Sequence, residues 1–158
     1  MSSYSQSKIF SQRLNELVNH IQLHEVLMHD YKIIQAEITV HEAATVLMNC
    51  HNKYFIVMDG ANPVGLLHRI DVVIAVAEMR YDEMIKNLPL KKMVFLKGSS
   101  EVKDVLDEIS KNIEHIYPVM EGDNFLGVIN YHHIIEYLLI HKSSDVVYQK
   151  VRSLATML

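Results

Sequence analysis

Ten histidines, nineteen carboxylates and one cysteine are the side chains best able to do chemistry. Metal binding, acid-base catalysis and nucleophilic attack are therefore the first readings to weigh. A zinc-peptidase helix sets two His four residues apart, so that both share one face and a Glu between them acts as base. The stretch HEVLMH, from His24 to His29, spaces its imidazoles five apart, which turns them about 140° from each other on a helix. HEAAT at His41 has Thr45 where the second imidazole belongs. His132, His133 and Glu136 come nearest to a ligand set, with His141 beyond them. His132 and Glu136 share a helix face at i and i+4, but no metal site is expected from them. Cys50 is the only thiol, so an intrachain disulfide and a zinc ribbon are both excluded. It lies inside an amphipathic run and reads as a small buried residue. There is no Gly-rich phosphate loop and no Gly-x-Ser-x-Gly elbow. Asp104, Asp107 and Glu108 fall on one solvated helix face. The expectation is a chain that is not an enzyme.

Composition narrows the class further. The 158 residues are 49% apolar and 22% charged, with 3 Pro and 5 Gly, the make-up of a packed domain rather than a disordered tail. Fifteen basic residues against nineteen acidic ones leave a formal charge of -4, so no net field favours nucleic acid or an anionic lipid surface. Met1 to Phe10 lack the basic flank and apolar run of a signal peptide, and no stretch approaches the roughly 20 apolar residues of a spanning helix. A cytoplasmic chain without direct membrane insertion is expected.

Internal repetition is the strongest organising signal. Sliding the sequence on itself by 62 positions sets Val40 on Val102, Val57 on Val119, Met58 on Met120, Gly60 on Gly122, Asn62 on Asn124 and Gly65 on Gly127. The apolar positions follow in the same register, with Leu47 on Ile109, Phe55 on Tyr117, and Val72 and Val73 on Ile134 and Ile135. Two copies of one module account for this.

Each copy reads as a leading strand, a helix, two strands and a helix. Thr39 with Glu42 three residues later is a capping box, and Val40, Ala43, Ala44, Leu47 and Met48 form the stripe behind it. Tyr54 to Met58 and Val64 to Leu67 flank Asp59-Gly60-Ala61-Asn62, a hairpin signal. Asp71 is then read as the cap of a helix that runs through Glu78. In the second copy the same pattern gives a helix over Glu101 to Lys111, strands over His115 to Met120 and Phe125 to Ile129, and a helix over Tyr131 to Ile140. Leading strands are expected at Lys32 to Ala36 and Met93 to Leu96. Ile9, Phe10, Leu14, Leu17, Val18 and Ile21 predict an amphipathic helix over 7–23, and 143–158 has the composition of a helical tail. The domain boundaries expected are 1–23, 24–85, 86–142 and 143–158.

This tandem, with FIVMDGANPVGLLHRIDVVIAV in the first copy and IYPVMEGDNFLGVINYHHIIEYL in the second, resembles a pair of CBS domains, the cystathionine β-synthase type regulatory repeat. The resemblance implies an α/β fold of two βαββα repeats packed with pseudo-two-fold symmetry, dimerisation, and binding of adenine nucleotides or related ligands in clefts between repeats. The second copy's Asn130 and IIEYLLIHK also resemble the CBS tails of site-2-type membrane metalloproteases, which would imply a membrane or enzyme partner chain.

The family pattern puts a Gly, two apolar residues, a Ser or Thr, two variable residues and an Asp at the strand-to-helix turn. The carboxylate can accept both ribose hydroxyls, and the hydroxyl and the free N–H groups favour a phosphate. The first copy keeps Gly65 and Asp71 but has His68 in place of the hydroxyl. Asp71 is the expected ribose ligand, with His68 and Arg69 as candidates for phosphate. An imidazole donates best when protonated, so affinity is expected to rise as pH falls from 8 to 6. The second copy has Asn130 and His133 at the hydroxyl and Asp positions, and a neutral imidazole offers one acceptor where a carboxylate offers more. One good nucleotide site is expected per chain. Ile34, Ala36, Ile56, Tyr117 and Pro118 are candidates for the adenine face.

Two functions follow from the resemblance. One is a non-catalytic sensor of AMP, ADP, ATP or S-adenosylmethionine that needs no cofactor and works as a homodimer. The other is a degenerate pair that serves as a dimerising or docking element without a ligand.

Overall fold

Thr39 opens a helix as its sequence predicts. Its hydroxyl accepts from the Glu42 backbone N–H at 3.2 Å, and the Glu42 carboxylate accepts from the Thr39 N–H at 3.4 Å. Two donors that a helix start leaves unpaired are thereby answered. This is α2, Val40–Met48, in a computed structural model that describes residues 12–142. The expected tail at 143–158, and the Ile9 and Phe10 end of the expected first helix, lie outside the described residues.

A strand β1 at Lys32–Gln35 precedes α2, and β2 at Tyr54–Asp59 and β3 at Asn62–His68 follow it. β1 pairs parallel with β2, and β2 antiparallel with β3. A parallel pair needs a crossover, which α2 supplies. Next comes α3, Arg69–Ala77, and then the second copy: β4 at Leu96–Lys97, α4 at Val102–Ser110, β5 at Tyr117–Glu121, β6 at Asn124–Ile129 and α5 at Tyr131–Glu136. The two sheets run β1-β2-β3 and β4-β5-β6. The offset seen in the sequence survives folding: α2 and α4 begin at Val40 and Val102, β3 and β6 at Asn62 and Asn124, α3 and α5 at Arg69 and Tyr131. Both hairpins turn on a glycine at the first central position, Gly60 at φ 62° and Gly122 at φ 58°, where a left-handed backbone favours a residue without Cβ.

The compact units do not follow the repeats. One, rich in strands, takes Met28–Leu96 together with Tyr117–Val128; the other takes 12–27, Lys97–Ile116 and 129–142. In the strand-rich unit, Ile34, Ala36, Val40, Ala43, Leu47, Phe55, Val57, Leu67, Val72 and Ala75 form one core between the first sheet and its two helices. Each large side chain buried there contributes about 1.5–3 kcal/mol. The Met28 N–H also donates to the Val128 carbonyl at 2.7 Å within this unit.

In the helix-rich unit the first helix, α1, covers 12–17 of the described chain and not the full run to 23. Its stripe is buried as the spacing predicts, at Leu14, Leu17, Val18 and Ile21. The helix stops because the chain turns at His20, which has φ 62°. Ile21 then accepts from the Val102 N–H at 2.8 Å, and the Leu23 N–H donates to Ser100 at 2.9 Å. α5 passes into a π-helical turn at Tyr137–Lys142, so the single helix expected from Tyr131 to Ile140 is a composite. The second leading strand is shorter and later than its apolar run suggests, since β4 begins at Leu96 and not at Met93. Among the described residues no helix is long and apolar enough to cross a membrane.

Two backbone details have energetic consequences. Gly65 sits on β3 where a Cβ would come 2.8 Å from Leu90 Cβ, because the Lys91 backbone pairs with Leu66 through bonds of 2.9 and 2.8 Å. α3 ends in a paired-bond motif in which Met79 donates to Val76 and Arg80 to Ala75, with Met79 left-handed at φ 60° where glycine is the usual occupant. Arg80 holds this turn through Glu83 and Glu78, each at 2.8 Å, and the Glu83 hydrogen bond leads in raising its pKa above the ordinary value. Gly65→Ala should therefore destabilise by about 1–3 kcal/mol through overpacking. Met79→Gly should stabilise by about 0.5–1 kcal/mol, and thermal unfolding of the two variants beside wild type should shift the midpoint in opposite directions.

Candidate functional site

The turn from β3 into α3 holds the residues that the sequence singles out. His68 is in extended backbone at φ -83° and ψ 135°, and it is the cap of α3. Its Nδ1 accepts from the Ile70 N–H at 3.0 Å. The expected cap, Asp71, is corrected to the third helical position. A ring nitrogen two residues from an unpaired N–H reaches it first, whereas the Asp71 side chain starts a full turn further on. With Nδ1 accepting, the neutral imidazole carries its proton on Nε2 and offers a donor without needing acid. Asp71 is half-buried, and among the described residues its carboxylate has no hydrogen-bond or ion-pair partner. A carboxylate in the first turn is favoured there by the helix dipole.

Arg69 is committed elsewhere. Its guanidinium donates to the carbonyl oxygens of Leu47 at 2.7 Å, Cys50 at 2.9 Å and Asn52 at 3.4 Å. These carbonyls lie at and beyond the end of α2, so the side chain closes that helix. Its backbone N–H donates to the Lys53 carbonyl at 2.8 Å.

Strand register decides which side chains share a face with His68. Tyr54 pairs with His68, Ile56 with Leu66, and Ile33 with Ile56, so these five lie on the side of the sheet turned away from α2 and α3. Ile34 and Ala36, candidates for the adenine face, are one register position off. They point into the helix-side core and are 2% and 3% exposed. Ile33, on the His68 face, is 42% exposed. Ile56 is on the His68 face but buried, and Tyr117 and Pro118 are buried in β5. A further group, with no signal in the sequence, surrounds the Tyr54 ring. The His68 ring meets it edge-on at 4.7 Å, and the Lys53 and Lys91 Nζ atoms lie 5.7 and 5.5 Å from its centroid.

In the second copy Asn130 takes the cap position and its Oδ1 accepts from the His133 N–H at 2.8 Å. His133 stands at the third helical position, as Asp71 does in α3. The two turns are alike in backbone role and differ in chemistry, since only the first presents a carboxylate. Among the described residues, no three His, Cys, Asp or Glu side chains gather as a metal site.

The CBS domain matches residues 23–78 and again 85–140. No curated protein matches the chain. Among solved structures it is similar to a hemolysin-like protein containing a CBS domain from Oenococcus oeni PSU, at 19% identity and a TM-score of 0.65, over 82% of this chain and 97% of that one. It is similar also to the CBS domain of the bacterial CNNM/CorC family Mg2+ transporter in complex with ATP, at 14% identity and a TM-score of 0.69, over 85% and 97% of the two chains. A third is the CBS-pair protein CBSX2 from Arabidopsis thaliana, at 12% identity and a TM-score of 0.65, over 78% and 97%. At these identities the likeness establishes the fold.

Arg69→Met keeps much of the stem and removes the fork. The variant should lose about 1.5–3 kcal/mol, and Arg69→Lys should recover little of it, because a single ammonium lacks the reach of a fork across three carbonyls. Equal stability of the Lys variant and wild type in urea unfolding would refute the clamp.

Proposed function

The chain belongs to the CBS domain family, and on that premise we propose that it is a non-catalytic regulatory module whose first repeat binds an adenine nucleotide or a related adenosyl ligand. The observation that carries this reading is Asp71: a half-buried carboxylate in the first turn of α3, without a partner among the described residues, three residues after an imidazole cap. Such a carboxylate suits two adjacent ribose hydroxyls. The exposed Ile33, on the His68 face of the sheet, suits a base. ATP bound to the CBS domain of a bacterial Mg2+ transporter, similar in fold, supports the ligand class. The second repeat, with His133 at the matching position, holds no equivalent site. Ligand in the first site favours one arrangement of the module, and a partner reads that difference in affinity.

The module works as a cytoplasmic homodimer. Ile70, Val73 and Ile74 stand on one face of α3 at i, i+3 and i+4, exposed by 49%, 47% and 43%, which is the spacing of a helix face awaiting a partner. A two-fold contact between copies covers it. The regulated partner is an enzyme or a membrane protein.

A thermal-shift series with AMP, ADP, ATP, S-adenosylmethionine and cyclic dinucleotides tests the sensor. A ligand at a hundred times its Kd adds about 2.7 kcal/mol, or about 5–10 °C for a chain of this size. Asp71→Ala should weaken binding by about ten- to a hundredfold and remove most of the shift. No shift with any of them would make the pair a dimerising or docking element. Sedimentation of Val73→Glu should show monomer where wild type shows dimer, and an unchanged dimer would remove α3 from the interface.

A further inference from the structure

We propose that His68 makes α3 an acid-sensitive element of the first repeat: a proton taken up at Nδ1 unlatches the first turn of the helix, while α5 in the second repeat has no such latch. The Ile70 N–H donates to that nitrogen at 3.0 Å, and a ring nitrogen accepts only while it carries no proton. In the imidazolium both ring nitrogens carry hydrogen, so no rotation of the ring restores an acceptor. The positive charge would also stand at the end of α3 where the helix dipole favours a negative one. Imidazole is the side chain whose charge ordinarily changes between pH 5 and 8. Of the side-chain caps described, Thr39 on α2, His68 on α3 and Asn130 on α5, only His68 has that property. The latch works on the helix itself, whether or not a nucleotide binds at Asp71.

Charges of both signs surround the turn. The Tyr54 ring of β2 meets the His68 ring edge-on at 4.7 Å. The Lys53 and Lys91 ammonium groups lie 5.7 and 5.5 Å from the Tyr54 centroid. Arg69 follows His68 directly, though its fork is turned to the carbonyls of Leu47, Cys50 and Asn52. Asp71 stands in the same turn of α3. Three cations and one carboxylate act on an imidazolium in opposite senses, and water and salt weaken all of them. The hydrogen bond, in contrast, is made or lost at the nitrogen itself, so it decides the sign. The capped helix holds no proton at Nδ1; proton uptake therefore favours the uncapped turn, and stability falls as pH falls. Asn130 supplies the contrast within the chain, since its Oδ1 accepts from the His133 N–H at 2.8 Å and an amide does not titrate in this range. The turn that acid loosens carries Ile70 and Asp71, so the effect is confined to the first repeat.

Nitrogen NMR of the full wild-type chain reads the latch directly. At pH 8 the His68 ring proton should sit on Nε2, and the Ile70 amide signal should move together with the His68 ring as pH is lowered to 5. A proton on Nδ1 at pH 8, or an Ile70 amide that ignores the His68 titration, would overturn the latch. Thermal unfolding gives the energetic reading, with His68→Asn putting the amide cap of α5 on α3. Between pH 8 and 5 the midpoint of wild type should fall by about 2–4 °C more than that of His68→Asn, because every other histidine is common to both. An equal fall in the two proteins would mean that acid does not open the cap, which overturns the latch as well.

Discussion

A helix ends with carbonyls that nothing inside it can answer, and in the strand-rich unit one guanidinium answers for α2. Arg69 reaches Leu47, Cys50 and Asn52, while its own backbone N–H is held by Lys53. The end of α2, the approach to β2 and the start of α3 thus meet at a single residue. Everything the site offers is set from there. His68 immediately before it caps α3, Asp71 two residues after it occupies the first turn, and Tyr54 next to Lys53 faces His68 across the strands. The residue that a motif-based view assigns to the ligand is the one that fixes the site's frame. Its planar fork is suited to that role, because several carbonyls can be bonded at once by a group that keeps its charge.

Much of the fold was legible from local chemistry. The capping box at Thr39 and Glu42, the glycines at both hairpin turns and the common 62-residue offset each state a local preference that the folded chain obeys. The site was legible in part. The turn holding His68 and Asp71 was located, but two details within it were not. Ser, Thr, Asp and Asn are the usual caps, so a His followed by an Asp drew the cap to the wrong residue. Ile33 and Ile34 are both apolar, so the alternation that reveals a strand's faces is silent there, and a one-residue slip exchanges core for surface. The Lys91 contact with the Tyr54 ring carries no local signal at all, since it depends on the bridge between Lys91 and β3.

The contrast between the two strand-to-helix turns shows how one scaffold can change its side chains without losing its shape. Asn130 caps α5 with an amide and His68 caps α3 with an imidazole, and both satisfy the same backbone need. The residue at the third helical position is not required by the backbone, so Asp71 and His133 could diverge at little structural cost. The side chains that distinguish the two turns therefore sit on the positions that folding constrains least.

The way the chain crosses between its compact units reaches beyond the finished structure. Met28 is hydrogen-bonded to Val128, which closes a loop of about 100 residues, and such closures are slow to find because their entropy is lost before their contacts form. At about 5–20 residues per second during synthesis, the unit begun at Met28 waits on the order of 5–20 seconds for its final strand. Until then the first repeat is an incomplete body with apolar surface uncovered, so the duplicated halves do not fold as separable modules.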